Sequence, residues 1–303
     1  MNNDPYELQR KVQSLAASGK TEQAIDLLKK TVKDDPLFME AWMLLGGVYR
    51  ALGRPEMAIE VCKESLEHIP KDSRIWVNLG HLYTEMNQYE QAFEPLKKAV
   101  ALDPQNPSAW GSLGMAFMGQ EDYPQAIEAF QNAVKLDPTR LDTWLQLGSA
   151  LDDAKRFKQA IKAYTKALVL QPTSFDGLVG LGMAYANNRE FTKAINAYKK
   201  GIKVNPNMPS VWFHLGKALS GADRLDEAIE AIKTGLKIDP GIAQAWMDLK
   251  DVYEKKGDKE GEARAFRQAI ATGKVDIQFT NSTEPEEIQK ILRRGNRGWI
   301  SRG

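Results

Sequence analysis

Hydrophobic and polar positions follow a helical period through most of this chain. Trp42, Leu45 and Tyr49 stand three or four residues apart, and Ala58 and Cys62 repeat that spacing after a short polar stretch. Residues with this spacing share one face of an α-helix, so each pattern predicts an amphipathic helix. We therefore expect two helices joined by a turn.

Glycine and proline mark the ends of these two predicted helices. Gly53 lies between the apolar patterns, where a left-handed C-cap is needed. Pro70 follows the second pattern and cannot continue a helix, because proline lacks a backbone N–H and clashes with the preceding turn. One helix-turn-helix unit is therefore predicted to end near Pro70.

The same arrangement recurs every 34 residues in three residue types. The prolines are Pro36, Pro70, Pro104, Pro138, Pro172, Pro206 and Pro240. The tryptophans are Trp42, Trp76, Trp110, Trp144, Trp212 and Trp246, with Leu178 standing at the one intervening position. The Leu-Gly pairs are at 45–46, 79–80, 113–114, 147–148, 181–182 and 215–216. A period shared by three residue types predicts an internal repeat, which decides the fold class.

Division at this period predicts a repeat array over 1–276 and a remainder over 277–303. The units are 5–38, 39–72, 73–106, 107–140, 141–174, 175–208, 209–242 and 243–276.

The repeat resembles the tetratricopeptide repeat (TPR), whose motif has Trp, Leu-Gly and Tyr on its first helix and Ala, Phe, Ala and Pro on and after its second. The fourth unit matches this motif at Trp110, Leu113, Gly114, Phe117, Ala126, Phe130, Ala133 and Pro138. The first and eighth units depart from it, at Leu8, Lys11, Val12, Lys250, Glu262 and Lys274, as expected for repeats with one face toward water. The resemblance implies an all-α fold, a right-handed α-solenoid superhelix of eight helix-turn-helix repeats.

The tryptophans have a structural interpretation and a functional one. Trp, Leu, Gly and Tyr at helical spacing share one face, where the small glycine allows close helix packing and the aromatic residues fill the remaining space. The alternative is aromatic stacking on bases or sugars. We favour the structural interpretation, because large apolar residues at helical spacing usually belong to a core.

The resemblance places a partner-binding groove on the concave surface, lined by the first helix of each unit. Carried onto this chain, it implies groove residues Arg74, Val77, Asn78, His81, Gly111, Met115, Met118, Leu145, Asp152, Val179, Met183, Phe213 and His214. An apolar stripe is expected from Met115, Met118, Leu145, Val179, Met183 and Phe213, bordered by Asp142, Asp152, Asp153 and Asp176, with room for a partner at Gly111, Gly119 and Gly180. Exposed apolar surface typically marks an interaction site; the alternative is that some of these side chains pack between neighbouring first helices.

The stripe favours a peptide or amphipathic helix with apolar anchors and some Lys or Arg. TPR proteins that hold the acidic carboxy terminus of heat-shock chaperones use a clamp of Lys, Asn and Arg. The closest frame in this chain supplies Met43, Gly47, Asn78, Ser108 and Ser112, of which only Asn78 fits. A chaperone clamp is therefore not expected.

Composition and motifs argue against several other classes of function. The formal net charge of +1 does not suit nucleic-acid binding, and no apolar run is long enough to span a bilayer. Catalytic motifs are not found, and His68, His81 and His214 fall too far apart to share a metal. Cys62 is the single cysteine, so it has no disulfide partner within the chain. The amino terminus shows no signal-peptide pattern. We expect a non-enzymatic cytoplasmic protein without a cofactor.

The segment 277–303 breaks the period. Thr283, Glu286 and Gly295 predict a capped helix, interpreted as a C-terminal capping helix over the last repeat. From Gln289 onward the chain has five Lys or Arg and no acid, and it includes Trp299. This basic tail is either a free end or a segment that docks into a groove of its own or a neighbouring molecule.

Three functional hypotheses follow. The first is a non-catalytic scaffold or adaptor that binds a peptide or helix of another protein in the concave groove. The second is a self-assembling scaffold, with homo-oligomers formed through residues 277–303 or the solenoid ends. The third is a regulatory subunit that binds an enzyme through the convex, second-helix surface. The first is preferred.

Overall fold

The computed structural model describes residues 4–272, which form 16 α-helices and, within that range, no strand. The helices alternate between two roles, so odd-numbered ones are called A helices and even-numbered ones B helices. The A helices are α1 (Pro5–Ala17), α3 (Met39–Ala51), α5 (Ser73–Glu85), α7 (Pro107–Gly119), α9 (Leu141–Asp153), α11 (Phe175–Asn187), α13 (Pro209–Gly221) and α15 (Ala243–Lys256). The B helices are α2 (Thr21–Asp34), α4 (Pro55–His68), α6 (Tyr89–Leu102), α8 (Tyr123–Leu136), α10 (Phe157–Leu170), α12 (Phe191–Val204), α14 (Leu225–Ile238) and α16 (Lys259–Ala271). The predicted all-α fold is confirmed.

Two compact units, Met1–Leu170 and Gln171–Gly303, divide the chain. The first contains α1 to α10 and the second α11 to α16. Within each unit every A helix packs on the B helix that follows it, and that B helix packs on the next A helix. This stacking of neighbours is the α-solenoid arrangement. The exact eight-unit division stays a prediction, and the capping helix and basic tail predicted for 277–303 lie outside the described residues.

The glycines of the Leu-Gly pairs allow each A helix to approach its B helix closely. A Cβ built on Gly114 would lie 2.6 Å from Cε1 of the Phe130 ring, and one on Gly148 would lie 2.7 Å from Cε1 of Tyr164. Real Cβ atoms do not approach other atoms this closely, so only glycine fits beneath these rings. The helix-A glycine and the large helix-B residue are therefore one packing unit.

A hydrogen bond explains why tryptophan and proline share one period. The indole Nε1 of Trp42 donates to the backbone oxygen of Pro36 at 2.9 Å, and Trp76 donates to Pro70 at 2.8 Å. The same bond is made by Trp110, Trp144, Trp212 and Trp246. Each tryptophan thus ties the start of its A helix to the preceding loop, which supports the structural interpretation.

The turn between A and B helices contains a residue with positive φ at the same repeat position. Gly53 has φ of +67°, as its place in the sequence predicts, and Gly19 and Gly257 behave alike. Five other turns place an ordinary residue there, with φ between 58° and 63°: Asn87, Glu121, Lys155, Arg189 and Asp223. This conformation costs an L-residue about 1–2 kcal/mol, so helix packing on both sides overrides the local preference.

Candidate functional site

The predicted groove residues lie on A helices of both units. The first unit holds Arg74, Val77, Asn78 and His81 on α5, Gly111, Met115 and Met118 on α7, and Leu145 and Asp152 on α9. In that unit α5 packs on α7, and α7 packs on α9, so these three helices form one surface, called here the A-helix face. The second unit holds Val179 and Met183 on α11 and Phe213 and His214 on α13.

The middle of the A-helix face is an open apolar patch on α7, formed by Gly111, Met115 and Met118. Met115 is 38% exposed, which is high for a large apolar side chain, and Met118 is half-buried. A Cβ on Gly111 would meet nothing within 4 Å, so the backbone is accessible there. Leu145 on α9 is half-buried. The α7 patch therefore offers apolar contact and free space together.

The structure corrects the expectation that Gly119 leaves room for a partner. A Cβ on Gly119 would fall within the ring of Tyr89, at the start of α6. The space above Gly119 is thus filled by the preceding B helix. A glycine stands at this position because the Tyr89 ring packs directly against it, so a side chain of another molecule does not fit there.

The α5 side of the face carries polar residues that already have partners. Arg74 folds back on Asp72, with 2.6 Å between Nη2 and Oδ2, and this hydrogen bond holds the pKa of the Asp72 carboxyl below its usual value. Nδ1 of His81 lies 3.5 Å from Oε1 of Glu85 on the same helix. The Asn78 amide donates to the sulfur of Met43 on α3 at 2.9 Å. Thioether sulfur is a weak acceptor, so Asn78 can exchange this bond for a better one.

The α9 side of the face is acidic. Asp142 and Asp153 are exposed, and Asp152 is half-buried. Burial raises the pKa of the Tyr164 phenol, and the negative charges of Asp152 and Asp153 raise it further. No ion pair within residues 4–272 involves Asp142 or Asp153. Their charge is available to a basic group of a partner.

In the second unit the structure corrects the placement of Phe213. The expected exposed stripe included it, but Phe213 is only 7% exposed, and its ring covers Gly235 of α14. Val179 is half-buried, and its Cγ2 atom would lie 3.5 Å from a Cβ built on Gly201 of α12. Met183 alone among the stripe residues of this unit is exposed, at 37%. Phe213 therefore packs inward on the following B helix and does not extend the exposed stripe.

His214 belongs to a packed cluster of the second unit. Its ring stacks on Tyr198 of α12 with 5.9 Å between centroids, and the neighbouring Lys217 pairs with Asp248 of α15 at 3.1 Å. Burial lowers the pKa of His214, the Lys217 charge acts in the same direction, and Asp248 opposes them. Folding therefore favours the neutral imidazole.

The stability of the second unit is expected to fall as the pH drops below about 6.5, the ordinary pKa of histidine. In that range the unfolded chain takes up a proton that folded His214 does not yet bind, and the loss levels off below the folded pKa. Thermal unfolding at about pH 7.5 and about pH 5.5 tests this, with His214→Phe expected to show a smaller acid-induced decrease in midpoint than wild type. Equal decreases would contradict the assignment to His214.

The described part of the chain lacks a metal-binding cluster, a reactive cysteine and a membrane-spanning helix. Residues 4–272 contain no group of three or more His, Cys, Asp or Glu side chains placed to hold a metal ion. Burial raises the pKa of the Cys62 thiol to about 12, so it stays protonated and is a poor nucleophile. None of the described helices is long and apolar enough to cross a membrane.

Comparisons with solved structures find proteins of the same architecture. The chain is similar to the crystal structure of MamA, with 28% identity and a TM-score of 0.50 over 53% of this chain and 94% of that one. It is similar to YrrB, described as a TPR protein with an unusual peptide-binding site, with 21% identity and a TM-score of 0.55 over 62% and 96%. A TPR repeat-containing protein from Cytophaga hutchinsonii, solved as its C-terminal part, gives 22% identity and a TM-score of 0.61 over 80% and 97%.

Sequence comparison identifies the family. A search of curated protein sequences found no match. Two tetratricopeptide repeat profiles match most of the chain, one over residues 37–105 and the other over 77–140, 112–175, 179–241 and 216–276. These matches, the paired helices and the glycine-aromatic packing agree with one another. The chain belongs to the tetratricopeptide repeat family.

Proposed function

We propose that this protein is a non-catalytic adaptor that binds a peptide or an amphipathic helix of another protein on the A-helix face of its first unit. The observation that carries the proposal is the α7 patch, where exposed Met115 stands one helical turn from the open backbone at Gly111. Methionine adapts its shape to varied partners, and a glycine without neighbours admits a partner's main chain or a bulky side chain.

The charges around the patch indicate the kind of partner. Asp142 and Asp153 on α9 are exposed and lack an ion pair among the described residues, so a Lys or Arg of the partner suits that side. Such rim charges chiefly steer association, while the apolar contact holds the complex. The likeness to YrrB, a TPR protein with a peptide-binding site, agrees with this assignment. The partner segment would carry apolar anchors and basic residues.

A double substitution, Gly111→Glu with Met115→Glu, tests the face. Both positions have space for the new side chain, so the fold should survive while two carboxylates replace the apolar patch. Partners captured from a native lysate by wild type are expected to bind the variant at least about tenfold more weakly. Circular dichroism checks that both proteins are folded.

Met57→Glu is the matched control, because Met57 is 42% exposed on the B helix α4. It makes the same chemical change away from the A-helix face. A partner lost with both variants, or with Met57→Glu alone, would favour binding through the B-helix surface. A homo-oligomer by light scattering that disappears when 277–303 is removed would instead favour self-assembly. Unchanged binding in every variant would reject the adaptor proposal.

A further inference from the structure

The second helix pair of the first unit lacks the packing unit that the next three pairs share. In α5, α7 and α9 the glycine of the Leu-Gly pair is covered by a large side chain from the next B helix. The covering residues are Leu96 over Gly80, Phe130 over Gly114 and Tyr164 over Gly148. In α3 the corresponding glycine is Gly46, and the corresponding B-helix residue is Cys62, a far smaller side chain.

The short Cys62 side chain leaves Gly46 uncovered. A Cβ on Gly46 would find one atom within 4 Å, Cγ1 of Val61 at 3.9 Å, whereas one on Gly114 would clash with Phe130. A cavity of about 250 Å³ occupies the vacant place, lined by Gly46 and Cys62 among others, and is called here the Cys62 pocket. Engineered apolar cavities of about 150 Å³ bind benzene, so an aromatic ring fits this volume.

The pocket walls suit an aromatic side chain. Trp42, Ile75 and Leu82 supply apolar surface, and the sulfur atoms of Cys62 and Met43 supply polarizable contacts that favour aromatic rings. All five residues line the same cavity between α3, α4 and α5. The apolar walls and the two sulfur atoms therefore suit an aromatic ring.

The pocket reaches the surface where a peptide backbone could be held. Gly47 and Arg50, which also line it, are exposed residues on α3. Asn78 of α5 lines it too. Its side-chain amide donates a hydrogen bond to the sulfur of Met43, which is a weak acceptor. A peptide carbonyl is a stronger acceptor than a thioether, so a bound segment would take over this donor.

We propose that the Cys62 pocket binds an aromatic side chain of the partner segment, which completes the second helix pair as Phe130 completes the fourth. This proposal deepens the adaptor function proposed above and rests on it. The partner anchor would lie over Gly46, with its backbone near Asn78. An aromatic ring fits such a place, because Phe130 of α8 and Tyr164 of α10 fill the equivalent positions.

The pocket is tested directly with a small probe, N-acetyl-phenylalanine N-methylamide. Titration into protein with ¹³C-labelled methionine methyl groups is expected to shift the Met43 signal saturably, and Met43→Leu assigns that signal. N-acetyl-alanine N-methylamide, which lacks the ring, should not shift it. The proposal is overturned if the phenylalanine probe leaves Met43 unchanged, or if both probes act alike.

Cys62→Phe fills the pocket from within, as Phe130 does over Gly114. It is expected to abolish the Met43 shift while keeping or raising the thermal midpoint, because a void is replaced by packed atoms. Cys62→Leu copies Leu96 and serves the same purpose if the ring does not fit. Cys62→Ala keeps the pocket open and is the control, with the shift expected to remain. A shift that persists in a folded, filled variant would refute the proposal.

Capture of partners from a lysate by these variants distinguishes the pocket proposal from the adaptor function. Loss of a partner with Cys62→Phe, but not with Cys62→Ala, supports both. Retention with Cys62→Phe, together with loss in Gly111→Glu, Met115→Glu, leaves the adaptor function standing and rejects the pocket as its anchor. Retention in all of these variants rejects the adaptor function, and the probe titration still decides whether the pocket takes a ring.

Discussion

Alanine substitutions at two glycines of the same helix, Gly114 and Gly111 in α7, are expected to change stability in opposite directions. Gly114→Ala should lower the free energy of unfolding by about 1–3 kcal/mol, because the new methyl group would overlap the Phe130 ring. Gly111→Ala should raise it by about 0.5–1 kcal/mol, because its methyl group meets nothing and alanine loses less backbone entropy on folding.

Chemical denaturation followed by circular dichroism measures both changes under one set of conditions. The pair controls for helix position and for the chemistry of the substitution, which are nearly identical. If both variants lose stability, α7 needs glycine at Gly111 for a reason other than space. If Gly114→Ala is neutral, Phe130 can move aside, and the glycine-ring contact does not limit the helix approach.

Tyr198→Ala is expected to cause the largest loss of stability in the second unit. Tyr198 is 2% exposed, its ring lies 2.5 Å from an ideal Cβ on Gly182, and it stacks on His214. Removing a buried aromatic ring leaves a cavity and typically costs about 3–5 kcal/mol. Tyr198→Leu should cost less, because leucine fills the equivalent place over Gly80 in the first unit.

The same substitution should also change the titration of His214. Burial is the main cause of its lowered pKa, and the Tyr198 ring contributes to that burial. In Tyr198→Ala we expect the pKa of His214 to rise toward its ordinary value, as followed by the imidazole proton signals in NMR. An unchanged pKa would mean that other neighbours, such as Lys217, dominate the shift.

In the stability measurement, a loss below about 1 kcal/mol for Tyr198→Ala would mean that the surrounding residues collapse into the cavity.

The architecture was predictable because the same residue contacts recur in each repeat and leave a periodic pattern in the sequence. The shared period of Pro36 and Trp42 reflects the hydrogen bond between them, and the period of the Leu-Gly pairs reflects the ring that covers each glycine. Gly53 was likewise identifiable as a turn residue from its place between two helical patterns. The equivalent turn residues Glu121 and Lys155 could not be identified in this way, because their left-handed conformation is imposed by the packing of the helices on either side.

Individual groove residues were less predictable than the repeat. Phe213 occupies a position that the family uses for binding, yet its ring turns inward because Gly235 on the neighbouring helix leaves space for it. Gly119 looks open in sequence but lies under Tyr89. In both cases the deciding residue belongs to another helix, so the pattern along one helix does not contain the information.

The repeat pattern along the chain is enough to identify an array of helix pairs of the TPR family, because equivalent packing positions must be filled by similar residues in every repeat. The places where that array departs from uniform packing became visible in the folded chain alone. It showed open space at Gly111, filled space at Gly119, and a pocket where Cys62 replaces a large side chain. Such differences depend on the volume left between residues of separate helices, and volume is a property of the packed chain.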